Sequence, residues 1–267
     1  MSQAGRLGTT KPTWIVDKER GRKAEARETI WLFGLHAVRD ALLNPAREKL
    51  RLVLTKNAAD KLGEAIAASG MEPEVVEPRE FKVPIDEGSV HQGAALEARP
   101  LNWGKLEEVC ISGTGLPLVV CLDRVTDPHN VGAVLRSAEV FGARAVIAPR
   151  HYSAPETGAL AKSASGALER QPYLRVTNLA DAMVSLREMG FTLIGLDGDG
   201  TVPLAEALAA AGPGRAVALV FGAEGPGLRD KTRETCDVVA RIPYSGAFGS
   251  LNVSNAAAVA LYAAGQR

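Results

Sequence analysis

The sequence predicts an α/β protein whose main sheet is parallel and covered by helices on both faces. The first observation is a set of continuous apolar runs in the second half of the chain, at residues 116–122, 145–148 and 191–196. Such runs are typical of strands buried on both faces, because a strand with one wet face alternates apolar and polar residues. The second observation is that the runs alternate with stretches of helical apolar spacing, which favours parallel strand order. The active site should then lie beyond the carboxyl ends of the strands.

The first half of the chain predicts a smaller α/β domain. Order should begin at Thr29, and a helical pattern from Leu35 ends at Asn44-Pro45, a pair that stops helices. The expected elements here are helices 35–43 and 58–69 and strands 50–54, 74–76 and 93–97. We expect four segments in all: a flexible basic tail at 1–29, the small domain at 30–100, a linker at 101–115 and a parallel-sheet domain at 116–267.

The parallel-sheet domain is expected to contain five strands and five helices. Ser153 and Glu156 have the spacing of a capping box, with Pro155 early in the helix that follows. The expected strands are 116–122, 145–148, 191–196, 216–221 and 238–242, and the expected helices are 131–141, 153–167, 179–189, 204–211 and 253–264.

Composition excludes several classes of protein. The 267 residues are 46% hydrophobic and 23% charged, which is typical of a globular protein. No run of about 18 apolar residues predicts a membrane span, and no apolar segment follows the basic N-terminus as in a secretory signal. Cys110, Cys121 and Cys236 are odd in number and scattered, which argues against a disulfide framework or a zinc site and fits a reducing cytoplasm. The four histidines also lack the spacing of a metal site.

Three glycine-bearing strand ends in the second half can carry chemistry. The first spans 122–142, where a polar turn leads into a helix that begins near Asn130. Asn130 could be no more than an N-cap, the residue before a helix whose side chain accepts a hydrogen bond from a backbone N–H of the first turn. Arg136, however, is a cation six residues further on in an otherwise small and apolar helix. Its planar fork of donors suits a phosphate group.

The second strand end, 220–229, has three glycines in six positions, with Glu224 between them. Glycine permits unusual torsions and a close approach of backbone to a ligand, although a tight turn with a solvated Glu224 is the alternative. The spacing is not the dinucleotide fingerprint, and the chain has no P-loop motif. The third strand end, 241–264, places Ser250, Asn252 and Ser254 at the start of an alanine-rich helix, which is more polar side chains than one cap requires.

Together these segments resemble the SpoU family (TrmH type) of RNA ribose 2′-O-methyltransferases, in the knotted SPOUT superfamily. The resemblance covers about residues 116–265 of the chain. Each motif is moderately specific alone, and the three in this order at predicted strand ends are highly specific. The matching segments are Asn130-x-Gly132-x-x-x-Arg136, then Phe221-Gly222-x-Glu224-Gly225, and then Ile242-Pro243 with Ser250-Leu251-Asn252-Val253-Ser254.

The resemblance implies a fold that simple sequence logic would not propose, since knots are rare. The C-terminal end of the chain would thread through an earlier loop to form a deep trefoil knot. S-adenosylmethionine would bind within this knot, held largely by backbone, and Gly222 would let the backbone approach the adenosine. The family also forms homodimers through the knotted domain. The implied cofactor-binding residues are Leu196, Gly222, Ile242, Ser250 and Leu251, and the implied catalytic residues are Asn130, Arg136, Glu224 and Asn252.

Arg136 is implied to act on the ribose 2′-hydroxyl. A guanidinium keeps its proton at all ordinary pH values, so a more economical role is to bind the adjacent phosphate and stabilise developing oxyanion charge. Asn130, Glu224 and Asn252 would orient the ribose, the arginine and the loops.

The first half of the chain is similar to one branch of the family, bacterial enzymes that modify a guanosine of 23S rRNA. The similarity lies in Phe33-Gly34-Leu35-His36-Ala37-Val38 and in His91-Gln92-Gly93, and it implies a small L30e-like domain that binds the RNA substrate. A tRNA substrate within the same family is the alternative. Two other classes stay open: a nucleotide-dependent oxidoreductase with a doubly wound domain, and a non-catalytic RNA-binding module.

The balance of charge does not exclude RNA as a partner. The chain has 31 Lys and Arg against 31 Asp and Glu, a formal net charge of zero. Residues 1–29 hold seven basic and four acidic residues, residues 30–109 hold ten and 13, and residues 110–267 hold 14 of each. A local cluster of cations is enough for phosphate contacts. Such a cluster lies around the first motif, in Arg124, Arg136, Arg144 and Arg150.

Overall fold

The structure, a computed structural model, describes residues 28–86, 88–246 and 251–266. All but two residues of the expected basic tail, 1–29, therefore lie outside the described residues. Within the described part, the strands form two β-sheets, one of four strands and one of seven. Every helix there is too short or too polar to cross a bilayer.

The four-stranded sheet is built by the first hundred residues. Its elements are β1 (Ile30–Phe33), α1 (Leu35–Leu43), β2 (Lys49–Thr55), α2 (Lys56–Ser69), β3 (Glu74–Val76) and β4 (Ala94–Ala98). The strand order is β1-β4-β2-β3, with β2 and β3 parallel and the other neighbours antiparallel. Val38 and Leu42 of α1 and Leu62 of α2 are buried in one apolar cluster with the strands, which holds both helices on the sheet.

The second sheet contains seven strands that all run in the same direction. Its elements are α3 (Leu106–Ile111), β5 (Leu118–Asp123), α4 (Pro128–Val140), β6 (Ala145–Pro149), α5 (Gly158–Ala164), a 3-10 turn (Ala167–Glu169), β7 (Tyr173–Val176), α6 (Leu179–Glu188), β8 (Phe191–Leu196), β9 (Val202–Pro203), α7 (Leu204–Ala211), β10 (Ala216–Gly222), α8 (Asp230–Thr235), β11 (Val238–Arg241) and α9 (Val253–Gly265). The strand order is β7-β6-β5-β10-β8-β11-β9, and each neighbouring pair is parallel.

Both faces of this sheet are buried. Along β5, Val120 and Leu122 belong to an apolar cluster that includes α4, α5 and α9. The alternate residues of the same strand, Val119 and Cys121, belong to a second cluster that includes α6. Successive side chains of a strand point to opposite faces, so a strand covered on both sides is apolar at every position. The expected parallel sheet with two covered faces is confirmed.

Three helix starts differ from the expectation: α2 begins two residues early, at Lys56, α4 begins at Pro128 and α5 begins at Gly158. Helix α3 lies within the segment 101–115. The carboxylate of Asp127 accepts from the backbone N–H of His129 at 2.9 Å and caps α4, so Asn130 is not the N-cap. The expected capping box at Ser153 and Glu156 is wrong, because α5 begins later, at Gly158, behind a Thr157 cap. Ser153 instead donates to a strand carbonyl, and Glu156 pairs with a buried arginine.

The three cysteines are free thiols. Burial raises the pKa of Cys110 and of Cys236 to about 12, and it raises the pKa of Cys121 as well. The thiolate is the reactive form of cysteine. These side chains therefore serve the core as small apolar groups.

A buried arginine joins the two sheets. The side chain of Arg47, in the loop before β2, is fully buried. It donates to Glu169 through Nη2 at 2.6 Å and Nε at 3.0 Å, and to Glu156 through Nη1 at 2.6 Å. Burial alone would lower the pKa of this guanidinium, but its bonds to Glu169 and the two carboxylate charges outweigh burial and raise it. Burial raises the pKa of Glu156 despite the opposing arginine.

Close backbone contact supports the same junction. Helix α5 of the large sheet packs against β1 of the small sheet. A Cβ atom on Gly158 would lie 2.3 Å from the carbonyl oxygen of Trp31 and 2.4 Å from the ring of Phe33. Only glycine therefore permits this approach. The two sheets are held together by both an ionic cluster and direct packing.

We expect Arg47→Ala to lower the free energy of unfolding by about 3–5 kcal/mol, because it leaves two carboxylates buried without their cation. Urea-induced unfolding at neutral pH measures the change. Arg51→Ala is the control, since its pair with Glu74 is 48% and 51% exposed and should cost less than about 1 kcal/mol. Equal stability losses in the two variants would contradict a structural role for the buried cluster.

Candidate active site

A cavity of about 570 Å³ opens at the carboxyl edge of the seven-stranded sheet. It lies beyond the ends of β8, β10 and β11, the edge at which parallel strands are expected to carry a site. Four of the five predicted cofactor residues line it: Leu196, Gly222, Ile242 and Leu251. The fifth, Ser250, lies outside the described residues.

The lining combines apolar side chains, open backbone and carboxylates. Phe221, Val253 and Ala256 add apolar surface to the wall, and Asp197 and Asp199 add negative charge. Apolar walls combined with polar groups that can fix the orientation of a ligand are typical of sites for small molecules. In the part of the chain that the structure describes, no group of three or more His, Cys, Asp or Glu side chains could hold a metal ion.

Three predicted catalytic residues meet at the rim of the cavity. The Asn130 side-chain amide donates to the Glu224 carboxylate at 3.2 Å. The Asn252 amide donates to the Asn130 carbonyl oxygen at 2.9 Å and also to Glu224. Asn252 is at the same time the N-cap of α9, where its side-chain oxygen accepts from the backbone of Ser254. The three side chains therefore tie together the loops that follow β5, β10 and β11.

Arg136 lies on α4, six residues after Asn130, and its side chain is exposed. It forms no hydrogen bond or ion pair with any of the described residues. An exposed guanidinium without an internal partner is available to an anion from solution, and its fork of donors matches phosphate. The structure thus places an exposed guanidinium on the helix whose first turn carries Asn130 at the cavity rim.

The structure shows a requirement for glycine at position 222 within the protein itself. A Cβ atom here would lie 2.1 Å from the carbonyl carbon and 2.2 Å from the carbonyl oxygen of Gly227. The backbone N–H of Gly227 donates to the carbonyl of Ala223 at 3.0 Å, which folds residues 222–228 back on themselves. The glycine thus permits the tight loop that forms one wall of the cavity.

Two ion pairs beside the site were not found by sequence reasoning. Asp123, the buried last residue of β5, accepts from the backbone N–H of Arg229 at 3.1 Å and from its Nε at 2.7 Å. Asp197 accepts from Nη1 of Arg233 at 2.8 Å. An aspartate at the end of an apolar strand was the available signal, because a buried carboxylate needs a partner. These pairs anchor the start of α8 beneath the loop 222–228.

The fold and the site define an α/β enzyme that binds a small ligand beside an anionic substrate. The SpoU rRNA Methylase family matches residues 117–262. A second family, RNA 2'-O ribose methyltransferase substrate binding, matches residues 31–104. The chain belongs to the SpoU rRNA methylase family.

Similar proteins agree with this membership. The 23S rRNA (guanosine-2'-O-)-methyltransferase RlmB of Vibrio vulnificus is 39% identical over 240 residues, which cover 88% of this chain and 95% of that protein. The RlmB protein of Vibrio cholerae is 38% identical over 239 residues, which cover 87% and 95%. Among solved structures, the SpoU methyltransferase AviRb from Streptomyces viridochromogenes in complex with the cofactor AdoMet has a TM-score of 0.74 at 22% identity, and the match covers 92% and 93% of the two chains. That structural likeness supports the fold.

We expect Gly222→Ala to lower the free energy of unfolding by about 1–3 kcal/mol or more, because the new Cβ collides with backbone that cannot move aside cheaply. Denaturant unfolding followed by circular dichroism measures it. Gly198→Ala is the matched control in the same cavity wall, since nothing lies within 4 Å of its Cβ and its cost should stay within about 0.5 kcal/mol. A Gly222→Ala protein as stable as the control would contradict this account of the loop.

Proposed function

We propose that this chain transfers a methyl group from S-adenosylmethionine to the ribose 2′-hydroxyl of a guanosine in 23S rRNA. The observation that carries the proposal is the bonded cluster of Asn130, Glu224 and Asn252 at the rim of the cavity, with Arg136 on the same helix as Asn130. The Vibrio relatives are named for this activity and match over nearly their whole length. The N-terminal match to a substrate-binding domain of RNA ribose methyltransferases supports RNA as the substrate.

The cavity suits S-adenosylmethionine in its chemistry. Leu196, Ile242 and Leu251 offer apolar side chains to a purine ring, and the glycine-rich loop at Gly222 leaves backbone groups open to a ligand. We propose that these four residues, together with Ser250, hold the cofactor. When bound, the cofactor supplies a methyl group that is already activated on a sulfonium.

The protein's remaining task is to position the ribose and to ease the loss of its hydroxyl proton. Correct positioning alone contributes on the order of 7–11 kcal/mol in ideal systems. Arg136 binds the phosphate next to the target ribose and balances the negative charge that develops on the 2′-oxygen. It does not accept the proton, because a guanidinium is already protonated, and the proton of the 2′-hydroxyl passes to solvent water. Asn130 and Asn252, both held by Glu224, fix the loops around the ribose.

The trefoil knot belongs to the same proposal. Helix α9 returns against α4 and β10 after residues 247–250, which lie outside the described residues. The path of the chain at the crossing is therefore a prediction that family membership supports.

Buried free thiols fit a reducing compartment, and we propose that the enzyme works in the cytoplasm.

We also propose that the enzyme is a homodimer through the face formed by α4 and α9. Val140 at the end of α4 is 76% exposed, and Tyr262 on α9 is 58% exposed and meets Phe141 edge to face at 6.1 Å. Exposed apolar residues that form a patch are typical of an interface between proteins. Val259 extends the same helix face.

We expect Arg136→Ala to lower kcat for methyl transfer by about a hundredfold or more, as the loss of an oxyanion-stabilising donor does elsewhere. Tritiated methyl transfer to a 23S rRNA transcript measures it. The Kd for S-adenosylmethionine should stay near that of the wild type, because the arginine is not part of the cavity wall. Arg136→Lys keeps the charge without the fork and should fall between the two proteins.

The same assay, together with a thermal-shift measurement, separates the alternatives. Turnover near wild type in Arg136→Ala would remove the arginine from the mechanism. Preferential methylation of bulk tRNA over 23S rRNA, with the methylated ribose mapped, would indicate that the substrate is tRNA, the alternative within the same family. Thermal stabilisation by NAD and not by S-adenosylmethionine would favour an oxidoreductase instead. Cofactor binding without methylation of any RNA would favour a non-catalytic binding module.

We expect Val140→Glu to convert the dimer to a monomer, because it buries a charge in the apolar interface. Sedimentation velocity measures the mass. Val90→Glu is the matched control, since Val90 is also an exposed valine, at 60%, but lies in the small domain. A wild-type protein that sediments as a monomer would overturn the proposed interface.

A further inference from the structure

An exposed arginine–tyrosine pair lies at the same edge of the large sheet as the cavity. Arg124 follows the last residue of β5, and Tyr152 lies three residues after the end of β6. The guanidinium carbon of Arg124 is 4.6 Å from the centroid of the Tyr152 ring, which is a cation–π contact. Tyr152 is 69% exposed, and Arg124 is exposed as well. A tyrosine so open to water adds little to the core.

Both residues have an unusual backbone conformation. Arg124 and Tyr152 each have φ of 59°. This left-handed region is uncommon for residues other than glycine, and strained residues of this kind cluster at sites that bind ligands. A glycine at either position would relieve the strain but would remove the side chain. The chain instead keeps two large flat groups there.

The two loops are braced so that the pair is held in place. The guanidinium of Arg175 donates to the last carbonyl of β6, that of Pro149, at 3.3 Å, and to two carbonyls of the loop that follows, those of Arg150 at 2.6 Å and Ala154 at 3.0 Å. The backbone N–H of Ala154 donates to the carbonyl of Val125 at 3.1 Å, which joins this loop to the one after β5. The exposed ring therefore stands on a rigid support.

The position of the pair relates it to the site. β6 pairs with β5, and β5 pairs with β10, which ends at Gly222 in the cavity wall. Neighbouring strands are roughly 4.8 Å apart, so Arg124 lies about one strand spacing from that wall and Tyr152 about two. The loop that begins at Arg124 continues to Asn130 and the helix of Arg136. A nucleic acid whose reactive ribose lies at the cavity would therefore extend over the pair.

We propose that Arg124 and Tyr152 form a stacking platform for an unpaired nucleobase next to the target nucleotide of the RNA. Flat aromatic and guanidinium faces bind splayed-out bases by stacking, and they do so with little regard for base identity. The arginine adds attraction for the phosphate backbone. The identity of the RNA rests on the proposed function, whereas the platform itself requires only a single strand with an exposed base.

The test uses the full chain and a single-stranded RNA decamer with one 2-aminopurine, whose fluorescence falls when it stacks. Tyr152→Ala should weaken decamer binding about fivefold or more, the loss expected for one stacked base, and should abolish the quenching. Tyr152→Phe keeps the flat ring and should bind like the wild type. Arg124→Gly relieves the backbone and should reduce the slope of log K against log salt by about 0.7, whereas Tyr152→Ala should leave that slope unchanged.

Two outcomes overturn the platform: wild-type decamer affinity in Tyr152→Ala, or a Tyr152→Phe protein as weak as Tyr152→Ala. Methylation of a 23S rRNA transcript by the same proteins is scored separately. If the wild type methylates no RNA while the quenching follows the ring, the proposed function fails and the platform stands. If methylation is intact and the KM for RNA is unchanged in Tyr152→Ala, the platform fails and the function stands.

Discussion

All seven strands of the large sheet run in one direction, and this constraint decides where the molecule can do chemistry. The helices that connect parallel strands cover both faces of the sheet, which leaves the carboxyl edge as the place where loops meet. The loops after β5, β10 and β11 converge there although their residues are far apart in sequence. The hydrogen bonds among Asn130, Glu224 and Asn252 are possible because the strand order brings these three ends together.

The same edge explains why a glycine-rich loop forms one wall of the cavity. Glycine at position 222 lets the loop 222–228 fold back against the end of its own strand. Charges near the cavity are mostly satisfied internally, as in the pairs of Asp123 with Arg229 and of Asp197 with Arg233. Arg136 differs, since it forms no ion pair with a described residue. The electrostatic character of this edge therefore depends on few exposed cations.

Much of the fold could be predicted from the sequence, because local apolar spacing carries the information. Strand β8 and helix α7 have the predicted bounds, since a continuous apolar run and a helical pattern define them locally. Helix α8 was missed because its six polar residues present no apolar face, and β9 because it has only two residues. The capping box was wrong because the competing partner of Glu156, Arg47, lies 109 residues away. Local patterns cannot reveal such a pair.

The candidate site, like the fold, could be predicted only in part from the sequence. Spacing alone identified the three strand ends, whereas the assignment of particular residues came from the resemblance to a known family. The requirement for Gly222 depends on the backbone of Gly227, which only the folded loop brings within reach. The platform at Arg124 and Tyr152 has no local signal beyond a nearby group of arginines, because the cation–π contact spans two loops.

The junction at Arg47 has a consequence for how the molecule selects RNA. Arg47 is fully buried and pairs with Glu156 and Glu169, which belong to the domain of the large sheet. Helix α5 of that domain packs directly on β1 of the small sheet. The two sheets therefore have little freedom to move relative to each other. The distance from the small sheet to the cavity is then fixed. Under the proposed function, an RNA substrate would have to place its recognised feature and its reactive ribose at that separation in three dimensions, whatever bases lie between. Selection by span requires few base-specific contacts, which suits a chain without excess positive charge.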